Sequence, residues 1–315
     1  MKADFSEFTY GFSLVSELAS ALECAAVPIF PSLIKEGQDG GGYDVEMGMG
    51  AVPLFLQFKL SEHLKTNNAK EAKHPSGNIS APYRRFQITS SKWSKQHALL
   101  LGLGAKHEHV YYCAPDFYTN EDLTYLWNNG YVSDGSVFVH PTEIGPISDD
   151  QRHAVCFNGM TLGADTCYLF SDPKPLKNRS VKALRGAIEA ELRNAETPLR
   201  DLLPNWAKLL EEGRSAGEQF HREQVEAIDK IREERRLAAL EEDGFGIQYS
   251  EKIMERQVFD GFDSIPEIEP FNVRSRVSGV PEKAIDPGMQ ALMKLGRTAA
   301  TEFQTQMFVL QRRTD

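Results

Sequence analysis

The sequence predicts a mixed α/β protein: a mixed β-sheet flanked by helices over residues 1–172, then a mainly helical region over 173–315. Three observations predict it. Residues 54–60 alternate as a strand does, with apolar residues on both faces as far as Leu56, as in an interior strand covered on both sides. Stretches with three- and four-residue apolar spacing flank that strand, over 6–27 before it and 96–106 after it. Past Ser171-Asp172-Pro173-Lys174-Pro175 the composition turns to charged, helix-forming residues, which places the boundary there.

Taken in order, residues 6–27 form a helix whose apolar face carries Phe8, Phe12, Leu14, Val15, Leu18 and Leu22. Ser6 and Asp4 offer its N-cap, and Pro28 and Pro31 end the pattern. Residues 31–42 form a loop ending in Gly40-Gly41-Gly42, and a first strand starts at Asp44. A tight turn through Gly48-Met49-Gly50 makes a hairpin with the strand over 54–60. On that strand Gln57 and Lys59 share one face. The segment 59–97 follows, with eight basic residues against Glu62 and Glu71, a local net charge of +6. Tyr83, Phe86 and Trp93 are interleaved with it, a mixture suited to a phosphate backbone and exposed bases. Lys65, Lys70, Lys73, Arg84, Arg85, Lys92 and Lys95 are its candidate nucleic-acid contacts. Residues 96–106 continue as a helix, 110–114 as a buried strand stopped by Pro115, and 117–127 as a helix capped at Thr119 or Asn120. Short strands follow at 136–140, 154–158 and 167–170. The C-terminal region reads as helices over 180–194, 198–212, 217–243 and 289–311.

Composition narrows the class. With 315 residues, 41% hydrophobic and 25% charged, the chain has material for a sizeable core. No apolar run approaches the ~20 residues that span a bilayer. The first residues carry two acids and no apolar signal stretch, which predicts a cytoplasmic protein without membrane attachment. Cys24, Cys113, Cys156 and Cys167 lie far apart with no CxxC pair, as expected of reduced, buried thiols. A net charge of −10 argues against nonspecific polyanion binding by the whole surface and leaves the basic segment as the local exception. No GxxxxGK[ST] loop is present, so any ATP-driven step belongs to a partner chain. His107 and His109 could share a strand face and hold zinc, but no third ligand stands at a typical spacing.

The order helix with Glu17, strand from Asp44, strand with Gln57-Phe58-Lys59, helix, strand resembles the core of the PD-(D/E)xK nuclease superfamily. The triplet matches the family's QxK variant, and the resemblance covers residues 6–115. It implies a restriction-endonuclease-like fold and hydrolysis of DNA phosphodiester bonds, in microbial restriction or anti-phage defence. It further implies Mg²⁺ or Mn²⁺ held by Asp44, Gln57 and Glu17, with the Phe58 carbonyl completing that edge. Lys59 would position the attacking water or steady the phosphate. Glu46, on the same strand face as Asp44, is available to restore the charge that Gln57 lacks. The residues also admit structural roles: Glu17 as a solvated helix glutamate, Asp44 as a turn residue, Gln57 as a strand-edge amide, Lys59 as an ion-pair partner. The alternative at the level of the whole chain is a catalytically inactive nuclease-like scaffold that binds or adapts. In either case the C-terminal helices would carry self-assembly or a partner protein.

Overall fold

The computed structural model describes residues 1–22, 24–29, 48, 50–76, 78–158, 166–170, 173–242 and 286–312. Asp44 and Glu46 lie outside the described residues. Among the described residues, seven helices and two five-stranded sheets make a mixed α/β fold. The helices are α1 (Glu7–Ala21), α2 (Gln96–Gly104), α3 (Asn120–Asn129), α4 (Pro141–Ile144), α5 (Val181–Asn194), α6 (Leu199–Glu242) and α7 (Pro287–Thr301). The strands are β1 (Cys24–Ile29), β2 (Val52–Phe58), β3 (Glu62–Leu64), β4 (Tyr83–Ile88), β5 (Val110–Pro115), β6 (Ser136–Val139), β7 (His153–Phe157), β8 (Thr166–Phe170), β9 (Lys174–Lys177) and β10 (Gln306–Arg312).

The first sheet runs β1-β10-β2-β5-β6 and the second β3-β4-β7-β8-β9. Among the described strands only β2 and β5 pair in parallel, and α2 lies in the connection between them. All other pairs are antiparallel. The fully buried pattern of β2 follows from its place. Its even residues Val52, Leu54, Leu56 and Phe58 join Tyr10, Leu14 and Leu18 of α1 and Leu184 and Ile188 of α5. Phe55, on the other face, joins Leu99, Leu100 and Leu103 of α2 and Phe86 and Phe157 of the second sheet.

Several boundaries differ from those the sequence predicts. The described antiparallel neighbour of β2 is β10, with Phe55 opposite Met307, and the strand expected from Asp44 lies outside the described residues. β5 takes the other edge, so both described neighbours of β2 come from distant parts of the chain, β10 some 250 positions away. The first helix stops at Ala21 with Leu22 as its cap, and residues 24–29 are an edge strand, where Pro28 is tolerated. The last helix likewise stops at Thr301. Gln304 takes a positive φ of 52°, and the run Met307-Phe308-Val309-Leu310 fills the slot between β1 and β2. The basic segment contains β3 and β4, paired with each other, and β4 pairs with β7. The two helices expected over 198–243 are one helix of 44 residues that contains Pro204.

The change of composition at residue 172 is not followed by the core. Leu199, Leu203, Trp206 and Leu210 of α6 and Leu292 and Leu295 of α7 share one cluster with Phe55 and Leu99. Glycine makes the α2–α6 crossing close. A Cβ at Gly217 would stand 2.6 Å from the Leu99 Cα, and one at Gly102 would collide with the backbone of Gly213 and Gly217. Further along α6, Gln224 accepts a hydrogen bond from Ser91, and Arg232 and Arg235 lie 3.3 and 2.9 Å from Asp150. No described helix is long and apolar enough to cross a membrane.

Candidate functional site

The carboxyl end of β2 gathers the polar residues that the sequence singles out on that strand. The ladder to β5 pairs Gln57 with Tyr112 and extends past the strand, where the Lys59 amide donates to the Cys113 carbonyl at 2.9 Å. Strand alternation puts Gln57 on the face of Phe55, towards α2. The buried Gln57 side chain donates its Nε2 to the Phe58 carbonyl at 3.0 Å. Its Oε1 is buried and has no hydrogen-bond partner among the described residues. An unmet acceptor of this kind is an uncommon feature in a core, where buried polar atoms are nearly always paired.

Lys59 lies half-buried just beyond the strand and donates from Nζ to Gln96 Oε1 at 3.0 Å. Gln96 opens α2, and its Nε2 points to the Gln304 carbonyl at 3.5 Å, so the turn into β10 helps to orient the lysine's partner. Burial holds the Lys59 ammonium below the usual lysine range, and the Glu7 carboxylate at the start of α1 opposes that shift. No described carboxylate comes within ion-pair distance of it. Beside Gln96, His97 is fully enclosed between the Tyr112 hydroxyl, at 3.1 Å, and the Gly145 carbonyl, at 2.8 Å. Burial lowers its pKa to about 4, so it stands neutral.

Glu17 is not part of this arrangement. It sits on α1, which covers the Phe58 face of the sheet, while Gln57 faces α2. Its carboxylate accepts from the Val132 amide at 2.7 Å, the Ser133 amide at 2.9 Å and the Ser133 hydroxyl, with Arg185 3.7 Å away. The expected role as a metal ligand therefore gives way to a buried anchor for the turn at 131–136. As Asp44 lies outside the described residues, the described donors around Gln57 and Lys59 are amide and carbonyl oxygens, with the Glu7 carboxylate farther off. They fit a hard cation as neutral ligands, and its charge would have to be matched by Asp44 or Glu46.

The basic segment divides in two. Arg85 lies 2.9 Å from Glu62 and 2.8 Å from Glu71, and Arg84 lies 3.8 Å from Asp116 and over the Tyr118 ring at 5.3 Å. Both arginines are thus matched within the protein. Lys65, Lys70, Lys73, Lys92 and Lys95 are exposed. Lys65 stands 5.9 Å from the Tyr118 ring centre, and Lys92 stands 5.3 Å from that of the exposed Trp93.

Gln96 and Glu7 escape a reading of the sequence, because their bearing on Lys59 depends on where α2 and α1 end. A second polar cluster lies at the opposite end of β5, the end that carries His107 and His109. His107 donates from Nε2 to the Pro53 carbonyl at 2.9 Å, and His109 meets Glu191 of α5 at 2.7 Å. No sequence spacing signals Glu191, which stands 82 positions from His109. Compared with family models, curated proteins and solved structures, the chain matches none.

Proposed function

We propose that the chain is a metal-dependent nuclease that hydrolyses phosphodiester bonds of DNA, with Gln57 and Lys59 at its centre and a restriction-endonuclease-like core. The observation that carries this reading is a buried group beside a half-buried one at the carboxyl end of β2. One is an amide oxygen with no described partner, and the other is an ammonium held by an amide and not by a carboxylate. A structural lysine in such a place would be expected to have an anion within ion-pair distance, whereas Glu7 acts on Lys59 only from farther away. The surroundings support it further: β2 is followed by a crossover through α2 into the parallel strand β5, as in that family's core, and ligands of open α/β sheets gather at carboxyl ends of strands.

In this reading Asp44 and Gln57 hold Mg²⁺ or Mn²⁺. The cation would supply an activated water and neutralise charge on the phosphate. Lys59 would hold the scissile phosphate or the attacking water, and Gln96 would fix the direction of its Nζ. The exposed lysines 65, 70, 73, 92 and 95 would take the flanking phosphates. A cytoplasmic role in restriction or defence against phage, with assembly through the C-terminal helices, belongs to the same reading.

The test is cleavage of plasmid and single-stranded DNA with Mg²⁺ or Mn²⁺ by the wild type, Asp44→Ala and Lys59→Ala. The expected result is metal-dependent cleavage that falls by about 10²-fold or more in each variant, in line with the loss of one transition-state contact. Equal cleavage by wild type and variants would remove the site. A second reading has an observation of its own. Glu17 is engaged by backbone amides, so the metal site lacks one of its expected carboxylates. That favours an inactive scaffold, for which the wild type binds DNA and neither cleaves it nor takes up Mg²⁺ calorimetrically.

A further inference from the structure

We propose that Glu108, His109 and Glu191 form a binding site for a first-row divalent transition metal such as Zn²⁺, separate from the Gln57–Lys59 end of the sheet. Their ligand atoms lie within 4.8 Å of one another. His109 Nε2 is 2.7 Å from Glu191 Oε2 and 3.9 Å from Glu108 Oε1. Rotation of the two exposed carboxylates would bring the three atoms to about 2 Å from one shared cation. One imidazole nitrogen with two carboxylates suits zinc and its neighbours better than Mg²⁺, which prefers an all-oxygen shell.

The positions of the three residues are fixed by the fold. His109 is fully buried, and its carbonyl accepts the Phe55 amide at 2.9 Å, which locks it to the first turn of the β2–β5 ladder. Glu191 comes from α5, across from that ladder, and is about 43% exposed. Glu108 is exposed and lines a cleft of about 660 Å³ with His107, Tyr111, His140 and Arg179. Since two of the three ligands, Glu108 and Glu191, reach solvent, a cation bound by the three would keep open positions towards it. The other Glu108 oxygen lies 3.9 Å from Arg179, so the carboxylate is steadied without being consumed.

One feature limits the affinity. His109 Nδ1 is buried without a hydrogen-bond partner. In the metal-free protein the ring proton sits on Nε2 and is donated to Glu191. Metal binding at Nε2 moves that proton to Nδ1, where no acceptor waits. Loss of such support for a ligating histidine typically lowers metal affinity by about 10- to 100-fold. The site is accordingly expected to be weaker than a closed structural zinc site.

The test is calorimetric titration of the full chain with Zn²⁺ in the presence and absence of millimolar Mg²⁺. Wild type is compared with Glu191→Gln and Glu108→Gln, both at exposed positions that leave the core intact. The expected result is one Zn²⁺ bound whether or not Mg²⁺ is present, weakened about 10-fold or more in each variant. His109→Gln should abolish it, and circular dichroism checks that this variant still folds. Absence of Zn²⁺ binding by the wild type, unchanged binding in Glu191→Gln, or displacement by Mg²⁺ would each overturn the assignment. DNA cleavage by Lys59 variants does not enter this test, so the two sites stand or fall separately.

Discussion

At the scale of single residues, the burial of polar groups separates anchors from reactive groups. Glu17 is an anchor: two backbone amides and a hydroxyl converge on one buried carboxylate. Glu17→Ala leaves those donors unmet in the core, and hydrogen bonds to charged groups contribute about 1.5–3 kcal/mol each. Urea unfolding should show Glu17→Ala destabilised by about 3 kcal/mol, with Glu17→Gln retaining part of the loss because its amide oxygen still accepts. Lys59 has the opposite character. Its ammonium is partly desolvated, so its pKa in the folded chain is below that in the unfolded chain. The unfolded state then binds more protons between those two pKa values, and stability rises with pH across that interval. The cost of the buried charge is thus fully present at neutral pH and fades as pH approaches the ordinary lysine value. Lys59→Met, which removes the charge and keeps much of the stem, should therefore be at least as stable as wild type at pH 7. Its advantage should shrink by pH 10, as measured by urea midpoints at both values. A variant that is more stable at pH 7 and inactive on DNA would mark Lys59 as a group kept for chemistry.

At the scale of elements, two devices place α2 and β2, and with them Gln96 and Gln57. The first is the glycine crossing of α2 and α6. Gly102, Gly213 and Gly217 let the two backbones approach to a distance at which a Cβ meets main-chain atoms, which cannot swing aside as a side chain can. Gly217→Val should cost about 3 kcal/mol or more, or prevent folding, by overpacking. Gly186→Ala is the control: in α5 a Cβ meets nothing within 4 Å, so the helix should gain about 0.5–1 kcal/mol. Thermal melts of the two variants should move in opposite directions. The second device is β10, which closes one edge of β2 and presents the Gln304 carbonyl to Gln96.

At the scale of the whole molecule, the C-terminal region completes the core and does not merely follow it. β10 lies between β1 and β2, and α6 and α7 supply leucines and Trp206 to the same cluster as Phe55. A chain ending at residue 304 loses the strand that joins β1 to the rest of the first sheet. It also exposes the apolar edge of β2, a template for aggregation. Such a truncation should lose its cooperative unfolding transition and precipitate. Residues 1–170 alone should likewise fail to fold, and amide hydrogen exchange on that fragment would show little protection. A folded, monomeric fragment would contradict this account.

Patterns along the chain reach only as far as local structure. Strand period, burial of β2, the helix at 96, the short buried strand at 110 and the caps Ser6 and Thr119 all follow from residues within a few positions of one another. Gln57 and Lys59 were legible for the same reason, since strand alternation needs no partner. The antiparallel partner of β2 was not legible: a glycine turn at 48–50 suggests a hairpin, and only packing gives that edge to residues 306–310. Helix ends were equally out of reach, because apolar runs such as 24–29 and 306–312 suit a helix or a strand, and the open slot in the sheet decides between them. The surroundings of Glu17 and Glu191 were hidden by the same physics. A carboxylate's function depends on which donors the fold aims at it. Those donors come from residues 132 and 133 in the first case and from His109 in the second, distances along the chain that no local pattern spans.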